Sequence, residues 1–227
     1  TAVRAVTYGF AADADVGAER VRSRGTAGMR FQLRLATQTG TERVAASIPT
    51  LGRLSVHNAL AGAAVGLAAG MAPDAIAAAL DAGWFAPHRG QLLTAGGVTI
   101  VDDSYNASPA SMIAALEMLA DLPGRRIAVL GEMLELGEGA SAGHRDVGIA
   151  AASTCALLVT VGEGAAALAA GAREAGLDAA AVIETPDRAA ALAVLQERLV
   201  PGDVVLVKAS RGLELDRLAD DLLAGLA

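Results

Sequence analysis

Residues 97–112 read GVTIVDDSYNASPASM, a short apolar run followed by a polar joint and the start of a helix. The run GVTIVDD predicts a strand that is buried on both faces. Pro109 suits the first turn of a helix, and Ser108 suits the N-cap before it. Between strand and helix stand three further residues, Asp103, Tyr105 and Asn106. Two interpretations stay open at this point: these residues form an Asx-type turn with a partly buried Tyr, or they hold a ligand.

The same succession of strand, turn and Ala-rich helix recurs through the rest of the chain. Four further strands are predicted, with the sequences RRIAVLG (125–131), CALLVTVG (155–162), AAAVIE (179–184) and GDVVLVK (202–208). Helices are predicted over 109–121, 141–153, 164–175, 187–198 and 212–225. The strand starts recur roughly every 25 residues, as βα units do. This pattern predicts an α/β fold with a doubly wound, mainly parallel sheet, whose ligands bind outside the carboxyl ends of the strands.

The part of the chain before this pattern, up to about residue 86, shows a different arrangement of apolar and polar residues. Alternating segments broken by Gly and Thr predict antiparallel strands in TAVRAVTYGF (1–10), GMRFQLRLATQTG (28–40) and TERVAASIPT (41–50). Two helices are predicted near 55–70 and 73–82. The apolar run across them is interrupted by Pro73 and Asp74, so packed helices are favoured over a membrane span. The segment GWFAPHRG (83–90) predicts a linker.

Composition narrows the class of protein. Hydrophobic residues make up 53% of the 227 residues and charged residues 19%, which is typical of a globular chain. A net charge of −7 disfavours nucleic-acid binding. The single Cys155 excludes a disulfide framework and suits a reducing compartment, and it is predicted to be an inert core thiol. No secretory signal opens the sequence, and Thr1 suggests a start within a longer protein.

Two short stretches carry cations that could meet an anion. His88 and Arg89 lie in the predicted linker, where Arg could clamp a phosphate and His could stack on a base; an exposed linker pair is the alternative. The stretch VVLVKASRG (204–212) ends its strand with Lys208, Ser210 and Arg211. Lys208 is the only lysine of the chain, which favours a carboxylate or phosphate contact over a solvated strand exit.

Other candidate motifs are weaker. The segment GEMLELGEGASAGH (131–144) contains three glutamates and His144, but their spacing matches no common metal-ligand pattern, and a solvated loop leading to a helix is favoured. VGEGAAALAAG (161–171) opens a helix with G-x-G and without the full dinucleotide fingerprint, so a tight βα turn is predicted. The sequence contains no G-x-x-x-x-G-K-[ST] phosphate loop.

Four of these segments together resemble the Mur ligase family, in the type that adds D-Ala-D-Ala. They are GRLSVHNALAGAAVGLAAG (52–70), VDDSYNASPASMIAALEML (101–119), GRRIAVLGEMLELGEGASAGH (124–144) and VVLVKASRG (204–212). The family shows His-Asn where this chain has Leu54 and Ser55. The resemblance implies that residues 1–86 are the end of a central ATPase domain and that 87–227 are a complete, Rossmann-like C-terminal domain. The phosphate loop, a modified lysine and the Mg²⁺ ligands would then lie upstream, and this chain alone would be catalytically inert.

The resemblance also implies residue roles. Asn58 matches an adenine contact, His88 a ring beside the base, Arg89 the catalytic arginine that reaches the ATP phosphates, and Asp103 the acid that holds the ribose. Tyr105 and Asn106 match residues around the nucleotide. The implied substrate-binding residues are Asn106, Ser108, Lys208, Ser210 and Arg211.

The implied activity is ATP-dependent joining of D-Ala-D-Ala to UDP-N-acetylmuramoyl-tripeptide through an acyl phosphate, by a cytoplasmic and monomeric enzyme that does not insert into membranes. Two alternatives remain. One is another amino acid ligase, either a second Mur type or a folylpolyglutamate-synthase-like enzyme. The other is a non-catalytic nucleotide-binding module of the same fold.

Overall fold

The computed structural model describes residues 5–226, which form two compact units, one ending at Phe85 and the other beginning at Ala86. The first unit contains a four-stranded sheet and two helices. Its strands, in sheet order, are β1 (Tyr8–Gly9), β2 (Val16–Ser23), β3 (Met29–Thr37) and β4 (Gly40–Ile48). Its helices are α1 (Gly52–Ala68) and α2 (Pro73–Ala82). Alternate residues of β3 and β4 point to one side, where they pack with α1 and α2 into a single core.

The predicted first strand is corrected by the structure. Residues 1–4 of TAVRAVTYGF lie outside the described residues, and only Tyr8–Gly9 forms a strand, which pairs with β2 in parallel. The pairing is parallel because of the loop between β1 and β2. A bond from the Ala14 N–H to the Ala11 carbonyl closes a turn within it, and the chain re-enters alongside β1 in the same direction. Strand β2 escaped prediction because a bulge between Glu19 and Arg22 breaks its alternation.

The second unit is the predicted α/β domain. Its strands are β5 (Gln91–Ala95), β6 (Val98–Asp102), β7 (Arg125–Gly131), β8 (Leu157–Val161), β9 (Val182–Thr185) and β10 (Asp203–Lys208). Its helices are α3 (Pro109–Ala120), α4 (Ala140–Ala152), α5 (Ala166–Glu174), α6 (Arg188–Arg198) and α7 (Leu215–Leu226). The sheet order is β5-β6-β10-β7-β8-β9, and every pair is parallel except β5 with β6. The prediction of an α/β fold with a mainly parallel sheet is confirmed.

Strand β5 is an antiparallel edge strand that the sequence prediction did not include. It is joined to β6 by a Gly96–Gly97 turn in which both residues have positive φ, 57° and 77°. Two glycines with positive φ are typical of a two-residue hairpin turn. The Gly-Gly pair was therefore the signal in the sequence that could have revealed this strand.

The order of the strands creates a switch point beside β10. From β6 the chain passes through α3, α4 and α5 to β7, β8 and β9, and then returns through α6 to β10, which lies between β6 and β7. Right-handed crossovers place α3, α4 and α5 on one face and α6 on the other. Buried residues of α6 and α7 accordingly share one core with alternate residues of the strands. The chain thus leaves β10 toward one face and leaves its two neighbours toward the other, which opens a crevice at their carboxyl ends.

The Ala-rich segment forms two separate helices, α1 and α2, which pack together as predicted. None of the helices within residues 5–226 is long and apolar enough to cross a membrane.

Helices α4 and α5 approach each other through glycines, which gives a prediction of stability. A Cβ added at Gly148 would lie 2.0 Å from the carbonyl oxygen of Leu168, whereas one added at Gly62 of α1 would meet nothing within 4 Å. Gly148→Ala should therefore lower the free energy of unfolding by about 1–3 kcal/mol, the usual cost of overpacking. Gly62→Ala, the matched control, should leave it unchanged or raise it by up to ~1 kcal/mol. Urea unfolding of both variants checks this, and equal midpoints would contradict the packing.

Candidate functional site

The candidate site lies at the crevice, where β6 and β10 end side by side. Asp102 is the last residue of β6 and pairs in register with Val207, the penultimate residue of β10. Asp103 follows directly, and its N–H donates to the carbonyl of Val207. Lys208 ends β10. Acids and the only lysine of the chain are thus brought together from distant parts of the sequence by the sheet.

An ion pair between Lys208 and Asp103 closes this end of the sheet. The Lys208 Nζ lies 2.7 Å from Asp103 Oδ2, and it also donates to the carbonyls of Asn106 at 2.8 Å and Asp103 at 3.4 Å. The Lys208 side chain is 4% exposed and that of Asp103 22%. Burial raises the pKa of Asp103, and the neighbouring ammonium partly offsets that rise. Lys208 therefore holds the β6–α3 loop, and its direct contact with a substrate stays a prediction.

A second carboxylate, Asp102, holds His88. Asp102 is buried, and its Oδ2 lies 2.7 Å from His88 Nδ1. Its Oδ1 accepts from both the N–H and the hydroxyl of Ser104, which makes the Asx-type turn of this joint. The bond to Asp102 raises the pKa of His88. The sequence analysis did not identify Asp102 or Ser104, although the adjacent pair of acids was a signal that it could have used.

Two arginine side chains lie against the Tyr105 ring. The Arg89 guanidinium lies 4.0 Å from the centre of the Tyr105 ring, and that of Arg211 lies 5.3 Å from it. Both guanidiniums are exposed, and cation–π contacts of this kind favour a fixed position for them. The Tyr105 N–H also donates to the His88 carbonyl, which ties the predicted linker to the joint. Two predicted site arginines therefore converge on one predicted site tyrosine.

The remaining predicted residues of this unit have local partners. Ser108 caps α3 by accepting from the Ser111 N–H, as the sequence predicted. The Asn106 side-chain oxygen accepts from the Ala107 N–H. The Ser210 hydroxyl accepts from the Leu134 N–H, which joins the end of β10 to the loop after β7. All three border the crevice, and their contacts with a substrate stay predictions.

The loop after β7 differs from its prediction in one respect. His144 lies in α4, within the helix predicted over 141–153, but it is buried and not solvated. Its Nε2 accepts from the Met133 N–H, and its Nδ1 donates to the Ala140 carbonyl. It is a core histidine because both ring nitrogens have partners at helix and loop. Cys155 is buried as predicted, and burial raises the pKa of its thiol to about 12. Gly162 and the turn Glu163–Ala165 lead into α5, as predicted for a tight βα turn.

Asn58 lies in the first unit, on the exposed surface of α1. Its contact with adenine stays a prediction. Within residues 5–226, no group of three or more His, Cys, Asp or Glu side chains could hold a metal ion. Mg²⁺ binding remains an expectation from the resemblance.

Comparisons with known proteins identify the family to which the chain belongs. The family described as Mur ligase, glutamate ligase domain matches residues 88–211, more than half of the chain. A UDP-N-acetylmuramoyl-tripeptide–D-alanyl-D-alanine ligase of Mycobacterium tuberculosis is 44% identical over 194 residues, which cover 74% of this chain and 38% of that protein. The chain thus spans about two fifths of the length of this relative.

Two solved structures share the fold. A crystal structure of MurF from Acinetobacter baumannii superposes with a TM-score of 0.81 at 27% identity, over 96% of this chain and 46% of that one. MurF ligase from Thermotoga maritima, in complex with ADP, gives 0.80 at 23% identity, over 97% of this chain and 48% of that one. From the family match over residues 88–211, the chain belongs to the Mur ligase family.

Proposed function

We propose that this chain is part of an ATP-dependent ligase that joins D-Ala-D-Ala to UDP-N-acetylmuramoyl-tripeptide in peptidoglycan precursor synthesis. The observation that carries the proposal is the convergence of Arg89, Tyr105 and Arg211 beside the Asp103–Lys208 pair at the switch point. The substrates are those of the relative that is 44% identical, a UDP-N-acetylmuramoyl-tripeptide–D-alanyl-D-alanine ligase. Residues 1–86 would end the central ATPase domain, and 87–227 would form the C-terminal domain of a longer, cytoplasmic and monomeric enzyme.

The proposed reaction has two steps. The terminal carboxylate of the tripeptide attacks the γ-phosphorus of ATP, ADP leaves, and an acyl phosphate forms. The amine of D-Ala-D-Ala then attacks the acyl carbon, loses a proton, and expels inorganic phosphate to leave an amide. Negative charge develops on oxygen in both steps, so fixed cations near the phosphoryl group lower both barriers.

The residues of this chain divide between the two substrates. The Asp103 side chain is 22% exposed beside its ion pair, and it is assigned to the ribose hydroxyls. Arg89 reaches the phosphates. Asn58 of the first unit is assigned to the adenine edge. Arg211, on the same tyrosine as Arg89, is assigned to the carboxylate of the dipeptide, because a guanidinium binds a carboxylate in bidentate geometry.

Asn106, Ser108, Lys208 and Ser210 line the crevice around that dipeptide in this proposal. Lys208 and Ser108 act mainly by shaping it, since the ammonium of one and the hydroxyl of the other already have partners within the chain. Ser210 fixes the loop after β7 against the end of β10.

The test is an assay of phosphate release and product mass with the full-length enzyme, ATP and UDP-N-acetylmuramoyl-tripeptide. D-Ala-D-Ala should support turnover, whereas single amino acids should not. The 227-residue chain alone should be inactive. Turnover with a single amino acid in place of the dipeptide would instead identify another Mur-type or folylpolyglutamate-synthase-like ligase. No ATP consumption with any acceptor would indicate a non-catalytic module.

A further inference from the structure

We propose that Asp102 is a positioning residue for nucleotide binding: through His88 it presents His88 Nε2 and the Arg89 guanidinium as two neighbouring donors for the nucleotide phosphates. The inference rests on the proposed function, because it takes the ligand to be ATP. In this proposal His88 donates a hydrogen bond to a phosphate oxygen of the nucleotide, and Asp102 holds the His88 ring in place.

His88 has an unfavourable backbone conformation that its hydrogen bonds hold in place. His88 has a φ of 59°, in the left-handed region that side-chain-bearing residues rarely adopt. Its carbonyl accepts from the Tyr105 N–H, and its own N–H donates to Gln91 Oε1 at 3.4 Å. The ring completes the set of tethers through Asp102. A backbone held this way at three points delivers the next residue, Arg89, to a fixed place on the Tyr105 ring.

The two carboxylate oxygens of Asp102 bind different partners, Ser104 and His88. Its side chain is 1% exposed, and its Oδ1 is occupied by the two donors of Ser104, so Oδ2 is directed to the imidazole. With Nδ1 committed to Asp102, Nε2 is the ring nitrogen left for a ligand. Within residues 5–226, every buried side-chain nitrogen or oxygen has a hydrogen-bond partner. His88 Nε2 has no hydrogen bond among these residues, so it is accessible to solvent. The His88 side chain is 28% exposed.

The electrostatic surroundings favour the protonated ring. The hydrogen bond to Asp102 raises the pKa of His88 most, burial opposes it, and Asp216 and Asp220 of α7 raise it further. The neighbouring cation is Arg89. An imidazolium whose Nδ1–H is held by a carboxylate offers its Nε2–H to an anion, and such charge-assisted bonds are the strong ones. Proton and phosphate should therefore bind together, and affinity should fall as the pH rises through the pKa of His88.

The experiment uses the full-length enzyme and the non-hydrolysable ATP analogue AMPPNP. Asp102→Asn should raise the Kd of AMPPNP at neutral pH by about tenfold, the loss of one charge-assisted bond. It should leave the KM for D-Ala-D-Ala unchanged. By NMR, the pKa of His88 should move down toward 6.5, the ordinary value, and the pH at which affinity falls should move with it. His88→Gln should raise the Kd by a similar factor, which keeps the test open if Asp102→Asn does not fold.

The control is Asp203→Asn. Asp203 is also 1% exposed and ion-paired, with Arg125 at 2.7 Å, but it lies at the opposite end of β10. Asp203→Asn should change neither the Kd nor the pKa of His88. An equal rise in Kd for both variants would reduce Asp102 to a structural role and overturn the inference. So would an Asp102→Asn or His88→Gln variant that binds AMPPNP as wild type does. If the wild-type enzyme itself binds no nucleotide, the proposed function falls, and this inference with it.

Discussion

Replacing Arg89 by Ala in the full-length enzyme should lower kcat/KM for ATP by about 10²–10³-fold, the usual effect of removing one preorganised donor to a developing oxyanion. The expectation follows from the position of Arg89. Its guanidinium stacks 4.0 Å from the centre of the Tyr105 ring, and its backbone is fixed by the neighbouring His88, so little reorganisation is needed when charge develops. Steady-state kinetics at saturating dipeptide measures the effect. Most of the loss should appear in kcat, because the charge that Arg89 meets grows in the transition state.

Two variants sharpen this test. Arg89→Lys keeps the charge without the planar fork, so it should recover only part of the activity. Arg217→Ala removes an arginine whose side chain is 60% exposed and whose partner is Glu214, the residue just before its helix, so it should behave as wild type. An Arg89→Ala enzyme that retains wild-type kcat/KM would show that this arginine does not meet the phosphates.

Lys208→Met should lower the free energy of unfolding of the chain by about 3 kcal/mol at neutral pH. This is the lower end of the usual cost of removing one partner of a buried ion pair, which leaves the other charge unpaired. The substitution keeps the volume of the side chain but leaves Asp103 and two carbonyls without their cation. Because burial raises the pKa of Asp103, the carboxylate without Lys208 takes up a proton more readily as the pH falls. The deficit should therefore be largest where Asp103 is ionised and should shrink toward acid pH.

A double variant separates charge from packing. Asp103→Asn combined with Lys208→Met removes both charges, and it should recover a large part of the lost stability. Arg217→Met breaks an exposed pair with Glu214 and should cost less than about 1 kcal/mol. Chemical unfolding monitored by circular dichroism measures all three. If Lys208→Met costs no more than Arg217→Met, the ion pair does not organise the β6–α3 loop.

The α/β fold was predictable because its strands are short apolar runs followed by helix starts. The carboxyl ends of these strands are where the structure gathers the predicted cations, although the chain as a whole carries a net charge of −7. The two guanidiniums on Tyr105 give an anionic ligand two adjacent cations there, which the net charge of the whole chain does not show.

The pairings within the site were not predictable. Asp103 and Lys208 were each identified as candidates, but they are 105 residues apart in sequence, and only the return of β10 to a place beside β6 brings them together. Asp102 was missed because the sequence reads as two acids at a strand end, and periodicity does not say which one turns inward. The burial of His144 was not predicted, because it depends on α4 packing over the loop after β7.

A crystal structure of the full-length enzyme with AMPPNP tests the account most directly. The ribose hydroxyls should lie within hydrogen-bond distance of Asp103, and the phosphates should be in contact with the Arg89 guanidinium. A nucleotide bound without contact to either residue would contradict the assignment of this crevice as part of the ATP site.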